Sequence, residues 1–380
     1  MSGATHPRGA LGGMLAGAAL LLATMLTLFW NEGRTVKRSG LLDHGRAQLV
    51  VVGHPQISPA NEGKLIYLHG EVSGETLRDT DLGIEANALA LRRRVEMLQW
   101  KQSSRERKDA NGQRRTEYEY SKVWSDRPID HSRFHLADAH QNPATLPFAD
   151  QQWQTQSARL GAFTLDARII DELQQWQSLD VDAGKLPPNL AASLRSEAGV
   201  LTSAASLDGA DIGDVRIRFD HVPPGPVSLV AQQHNGVLRP YRDKRGELLL
   251  VKRGQVGAQA LFDAAGQGNS TLGWSLRLGG FFAFWAGFGL LLSPIRNLLQ
   301  RIPLLGGIGR FATSLVSGVL AFALALLTMA SGWLFHRPWL MALFLLAVAA
   351  FVYWMIRQRR PPVATPVSPP PPPPPPPPGP

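Results

Sequence analysis

ALGGMLAGAALLLATMLTLFWNEGR, Ala10 to Arg34, decides how the rest of the chain is read. Its first 21 residues, Ala10–Trp30, carry no charge, and Asn31, Glu32, Gly33 and Arg34 then break the run abruptly. A bilayer core about 30 Å thick needs roughly 20 apolar residues of helix, so the stretch reads as a membrane span. Phe29-Trp30 falls where such a helix meets the headgroups. A cleaved secretory signal is the alternative, with Arg8 as a weak basic flank. The run is longer than the apolar region of a usual signal, and no small-x-small cleavage motif precedes Asn31, which favours an uncleaved signal anchor.

From Arg34 to Arg277 no further apolar run is long enough to span. Gln48–Val52 (QLVVV) and Lys64–His69 (KLIYLH) are short β-rich runs bounded by Gly, Pro and Asn. Leu89–Lys101 is a longer strand in which Leu89, Leu91, Val95 and Met97 share one face. Leu98 and Trp100 fall on the other, which predicts a bulge or a change of buried face near Met97. Asn111-Gly112 is a strong hairpin signal, and Glu117–Trp124 (EYEYSKVW) returns as the partner strand. Ser125–Pro147 is irregular. Ile169, Ile170, Leu173 and Trp176 predict an amphipathic helix over Asp166–Trp176. Val181–Asp211 reads as loop with at most one short helix. Strands resume at Asp214–Phe219, Val227–Gln232 and Glu247–Val251, with a rigid VPPGP turn and a His234-Asn235-Gly236 turn between them.

Three more apolar stretches follow: Leu278–Leu292 with Pro294, Phe311–Leu334, and Trp339–Ile356. Ser293–Arg310 between the first two carries three Arg, no acid and scattered Leu, which suggests a short helix lying in the interface. Four spans put both termini on one side. Arg296, Arg301 and Arg310, and Arg357, Arg359 and Arg360 after the last span, make that side cytosolic. The expected fold class is α+β, with a strand-dominated extracytoplasmic domain inserted between one N-terminal and three C-terminal transmembrane helices. The expected segments are a cytoplasmic N-terminus over 1–9, the first transmembrane helix over 10–30 and the extracytoplasmic domain over 31–277. The second transmembrane helix follows over 278–295, a basic cytoplasmic loop over 296–310, and helices three and four over 311–334 and 339–356. A disordered proline-rich cytoplasmic tail covers 357–380. The ten prolines of Pro369–Pro378 would form a polyproline II rod of roughly 30 Å if ordered, at about 3.1 Å per residue.

The chain has no cysteine, which removes disulfides, thiolate metal sites and a Cys nucleophile. The net charge of +9 fits arginines flanking spans and touching anionic headgroups better than it fits nucleic acid. No nucleophile elbow, HExxH, Walker loop or dinucleotide fingerprint occurs. His131, His135 and His140 form the nearest approach to a metal cluster, but the breakers around them argue against a shared helical face, and no metal or cofactor is expected. The candidate polar cluster is Asp126, Arg127, Asp130, His131, Arg133 and His135. Its competing reading is an irregular turn whose acids and arginines pair and cap backbone. The four apolar runs contain no ionisable residue, which argues against a coupled transporter or ion channel. They carry small residues at i, i+4, Gly13 with Gly17 and Ser314 with Gly318, which permit close helix contacts within or between chains.

FWNEGR (Phe29–Arg34), VEMLQW (Val95–Trp100), WSDRPID (Trp124–Asp130), Ser132-Arg133-Phe134, Asn142-Pro143, LGAF (Leu160–Phe163), VPPGPVS (Val222–Ser228), LLLSPI (Leu290–Ile295), Ile302–Gly306 and Arg337-Pro338 occur in order along the chain. In this pattern the sequence resembles the transmembrane protein 43 (LUMA) family. The resemblance implies a multi-span membrane protein with its large domain in the lumen. It also implies self-association, contacts with nuclear-envelope proteins and residence in the endoplasmic reticulum and inner nuclear membrane in eukaryotic members. It carries over no catalytic residues, and a link to lipid metabolism is sometimes suggested. An Ala-, Gly- and Arg-rich composition points to a bacterial member, in whose plasma membrane the large domain would be periplasmic. The expected activity is therefore that of a membrane-organising scaffold, a homo-oligomer in the lipid bilayer with possible membrane-protein partners and no nucleic acid. The alternative is a lipid-handling protein or hydrolase using the 126–135 cluster.

Overall fold

The computed structural model describes residues 7–53, 55–108, 113–299 and 306–358. They fall into two compact units, Lys37–Thr271 and the residues up to Val36 with those from Leu272 onward.

The Lys37–Thr271 unit rests on two large sheets. In the first, Leu65–Ser73 and Gly225–His234 pair antiparallel, from Leu65↔Gln232 to Val72↔Gly225. Arg159–Leu160, Phe163–Leu165 and Val237–Arg239 link the outer sides of those two strands, so the pairings close a ring. One face of the pair puts Ile66, Leu68, Val227 and Leu229 into a core with Phe163, Ile169, Ile170 and Leu173. The opposite face packs Leu65, Tyr67 and Val230 on Leu41, Leu42, Leu261 and Phe262. Burial on both faces is the reason LIYL and LVA read as continuous apolar runs and not as alternating ones.

The second sheet is organised on Ala90–Lys108, a strand of 19 residues. Val215–Val222 lies antiparallel to its first half, from Val215↔Met97 to Val222↔Ala90. Arg114–Ser125 pairs with its second half, from Met97↔Ser125 to Lys108↔Arg114. Leu91, Val95, Met97, Ile217 and Phe219 bury one face beneath the hairpin of Glu75–Asp79 and Ile84–Ala88. The alternate residues make a charged ladder, with Arg92 opposite Asp220, Arg94 opposite Arg218 and Glu96 opposite Arg216. Asp220 bridges Arg92 and Arg94 at 2.9 and 2.8 Å. Glu96 bridges Arg216 and Arg218 at 2.7 and 3.1 Å. The rings of Trp176 and Trp124 back Arg92 and Arg216 at 4.2 and 4.5 Å.

Several sequence expectations need correction. The long strand has no bulge near Met97, because its pairings run on without interruption. Both of its faces are covered instead. The Gln99 side chain donates to the Arg127 carbonyl and accepts from Ile129 N–H on the Met97 side. Where the neighbouring strand runs out, the Asn142 amide takes its place, accepting from Trp100 N–H at 2.6 Å and donating to the Trp100 carbonyl at 2.9 Å. The predicted helix over Asp166–Trp176 is only Ala167–Glu172, capped by Asp166, although Ile169, Ile170 and Leu173 are buried as expected. Val181–Asp211 contains a hairpin, Arg195–Glu197 with Val200–Thr202. Its turn, Ala198-Gly199, takes positive φ at both residues (50° and 76°). That turn type favours Asn or Asp at its first position, so alanine there hid the signal. Asn235-Gly236 adopts the same geometry and was legible. Asn111-Gly112 lies outside the described residues, but the strands flanking it pair as predicted.

Among the described residues three helices are long and apolar enough to cross a membrane: Leu11–Ala47, Phe311–Phe335 and Pro338–Arg357. The first begins at Pro7 and does not stop at Trp30 but runs to Ala47. Leu278–Leu292 falls at the end of a helix that begins at Ala258 and ends at Leu291. The proline tail and residues 300–305 of the basic loop lie outside the described residues; Ser293–Leu299 is a short helix and the next long helix begins at Gly306.

The Arg216 hydrogen bond, with the charges of Arg216, Arg218 and Arg94, holds the Glu96 carboxyl below the usual glutamate range despite partial burial. A depressed folded-state pKa stabilises the fold above the unfolded value and loses that contribution as pH falls through the folded one. Glu96→Gln is expected to lower the melting temperature at pH 7 and to cost progressively less below about pH 4.3. Thermal unfolding of the detergent-solubilised chain measures this; an equal deficit at pH 7 and pH 3 would exclude the pair as a source of acid sensitivity.

Candidate functional site

The apolar run of the first helix ends in FWNEGR, and three helices meet there. Asn31 and Glu32 are buried, at 0% and 2% exposure. The Glu32 carboxylate accepts from Arg277 Nε and Nη2, both at 2.7 Å, in a two-point pair. The Trp274 ring lies 5.0 Å from the same guanidinium. Asn31 donates to the Gly273 carbonyl at 3.3 Å and accepts from Arg34 at 3.1 Å. From the Gly306–Phe335 helix and the residue after it, Phe335 and His336 pack on Phe29 at 5.4 and 5.8 Å. A Cβ on Gly33 would enter the His336 ring, and one on Gly332 would stand 3.0 Å from Glu32 Cβ.

This junction is the end of a longer seam. Going down the first helix, Thr35 meets Gly273, Glu32 meets Arg277, Leu28 meets Gly280, and Leu21 with Gly17 meets Gly287. The two helices are antiparallel and held close by glycine: a Cβ on Gly17 would lie 2.8 Å from the Gly287 carbonyl, and one on Gly280 2.6 Å from Leu28 Cδ2. Small residues let apolar helices approach where lipid offers no hydrophobic drive. The lone acid of the seam is neutralised by the lone arginine opposite it.

Of the four small residues singled out in the sequence, Gly17 lies in this seam and Gly13 only in ordinary contact with Ser293. A Cβ on Gly318 would lie 3.6 Å from the Trp285 ring, and the Ser314 carbonyl accepts from Trp285 Nε1 at 3.0 Å. Sequence reasoning missed Glu32, Arg277 and the opposing glycines. The signal available was Gly273, Gly280 and Gly287, spaced by seven so that they fall on one helix face.

In the strand-rich unit the candidate cluster is drawn out along the Asp126–Asn142 segment. Asp130 accepts from Ser132 N–H and Oγ–H and pairs with Arg133 at 3.4 Å. The Ser132 hydroxyl and N–H, with the Arg133 charge, hold the Asp130 carboxyl below the usual range. His131 Nδ1 accepts from Asn142 N–H. The His135 ring stacks on Tyr118 at 4.4 Å, and His140 on Tyr120 at 3.7 Å. Asp126 and Arg127 are exposed, with no ion pair among the described residues. His131–Arg133 is a single 3-10 turn, so His131 and His135 do not share a helical face. Among the described residues no three metal-ligating side chains converge.

A strand-rich domain set between one N-terminal and two C-terminal apolar helices defines an integral membrane protein. The model of the Transmembrane protein 43 family matches residues 97–338, more than half of the chain, and the chain belongs to that family. Transmembrane protein 43 of Rattus norvegicus and that of Homo sapiens are each 28% identical over 367 residues, 92% of this chain and 90% of theirs. The Drosophila melanogaster homolog is 29% identical over 356 residues, 90% of this chain and 94% of its own. No solved structure matches.

Removing one partner of a buried ion pair leaves the other charge unpaired, at a cost of about 3–5 kcal/mol. Glu32→Gln and Arg277→Met are each expected to lower the melting temperature in detergent markedly. The double variant Glu32→Met/Arg277→Met is expected to recover most of that loss. Additive losses in the double variant would show that the two side chains stabilise the helices independently.

Proposed function

We propose that the chain is a non-enzymatic, membrane-organising scaffold that associates with further copies of itself and with other membrane proteins. The observation that supports this best is the arm of the second sheet. Beyond Met97 the long strand pairs, among the described strands, only with Arg114–Ser125. Side chains from Ser103 to Arg107 and from Gln113 to Glu119 are exposed. These residues belong to none of the hydrophobic cores. A two-stranded arm has strand edges at which a second chain can add by backbone pairing. None of the three relatives' names states a reaction, which is compatible with this reading.

In this proposal the 126–135 cluster is a clasp that fastens its segment to the base of the arm, and no residue of it is catalytic. The chain crosses the membrane four times, with Leu278–Ile295 as the second span. Residues 1–9, the 296–310 loop and the 357–380 tail are then cytosolic and the strand-rich domain is periplasmic, in the plasma membrane of a bacterium. The arginines of the 296–310 loop and of the tail support this orientation.

Light scattering of the chain in mild detergent is expected to give a protein mass above one protomer. Joining Gln102 to Tyr120 through an Asn-Gly turn, which removes the arm and with it the Tyr118 stack on His135, is expected to give one protomer that still unfolds cooperatively. A monomeric wild type, or an unchanged mass without the arm, counts against the scaffold. The absence of cysteine makes topology directly measurable. Ser2→Cys and Ser368→Cys are expected to react with an impermeant maleimide from the cytosolic side only, and Ala192→Cys from the opposite side only. Labelling of Ser2→Cys and Ser368→Cys on opposite sides would mean an odd number of spans.

A further inference from the structure

We infer that the membrane unit holds an anionic phospholipid in a cleft between its second and third long helices, Ala258–Leu291 and Gly306–Phe335. The cleft encloses about 430 Å³, and its walls include Phe282, Trp285, Gly289, Ser314 and Ser317, with Arg296 beside them. That volume lies in the range of small-molecule sites. Trp285 is fixed as a wall by its hydrogen bond to the Ser314 carbonyl. A Cβ built on Gly289 meets nothing within 4 Å, so the glycine faces open space.

Charge identifies the occupant. Glu32 is the only acid in the sequence before Lys37, and no Asp or Glu follows Asp263. The unit therefore contains one acidic side chain, and that one is committed to Arg277 at 2.7 Å. Arg296 is exposed on the short Ser293–Leu299 helix, and its counter-ion has to come from outside the unit. An apolar, aromatic cleft with hydroxyls and an uncompensated guanidinium at one side fits a molecule with acyl chains and a phosphate. Arginine takes phosphate oxygens at two points, and basic sites between membrane helices take anionic headgroups. The lipid would lay a chain along Phe282, Trp285 and Gly289 and its phosphate on Arg296. This inference is independent of the scaffold reading.

The test is native mass spectrometry of the full chain in neutral detergent, with phosphatidylglycerol, phosphatidylcholine or inorganic phosphate added. Wild type is expected to retain phosphatidylglycerol about tenfold better than phosphatidylcholine, the scale of one charged hydrogen-bonded contact. Arg296→Gln is expected to erase that preference, and Gly289→Leu, which fills the cleft, to lower retention of both lipids. Arg337→Gln, a cation at the other end of the third helix, is expected to keep the wild-type pattern. Equal retention of the two lipids by wild type, or an unchanged preference in Arg296→Gln, overturns the proposal. So does displacement of phosphatidylglycerol by millimolar inorganic phosphate, which would mark a free-ion site.

Discussion

The two-point pair between Glu32 and Arg277 is the interaction on which the membrane unit depends. Taking both charges out of water costs several kcal/mol per ion, offset only by close geometry and further hydrogen bonds. The glycines supply that closeness. Gly273, Gly280 and Gly287 bring one backbone against the other, and Gly33 and Gly332 admit a third helix beside Glu32. Register, spacing and the neutrality of the junction are therefore one constraint. A shift of one helical turn along the seam would put Leu28 against Arg277 or Glu32 against Gly280, and would leave a charge buried alone.

The strand-rich unit solves the converse problem. Its sheets have more surface than its cores can cover, and the excess is managed with paired charge. Arg93, 2% exposed, binds Asp79, 0% exposed, at 2.6 Å within the core side of the second sheet. On the other face, two acids serve four arginines in a ladder backed by tryptophan. Arginine suits this role because its planar fork can serve a carboxylate while its face stacks on an indole. The outer half of the long strand has neither core nor ladder, and the Asp126–Asn142 segment, with its stacked histidines and the Asn142 amide, holds its base together with the Lys122–Asp211 ion pair.

Family membership and the fold bear on function unequally. The match to Transmembrane protein 43 over residues 97–338 covers most of the strand-rich unit and the seam's second helix. What it brings is a membrane protein of a particular build, and no reaction. Function is then argued from surfaces: an exposed arm on one unit, and on the other an excess of cations over a single, committed acid.

The sequence by itself determined the membrane character, the strand-rich middle, the hairpin on Ala90–Lys108 and the buried faces of Leu91–Met97 and Ile169–Leu173. Each follows from local periodicity, run length or turn chemistry, which neighbouring residues suffice to encode. Tertiary structure alone decided that Glu32 and Arg277 meet, residues 245 positions apart, and that Asn142 completes a sheet edge from 42 positions away. It also decided that His131 and His135 serve different partners despite their spacing, and that the first helix continues to Ala47. The physical reason is the same in each case. A charge, an amide or an imidazole is indifferent to its neighbours in sequence and is satisfied by whatever partner the fold brings within hydrogen-bonding or stacking reach.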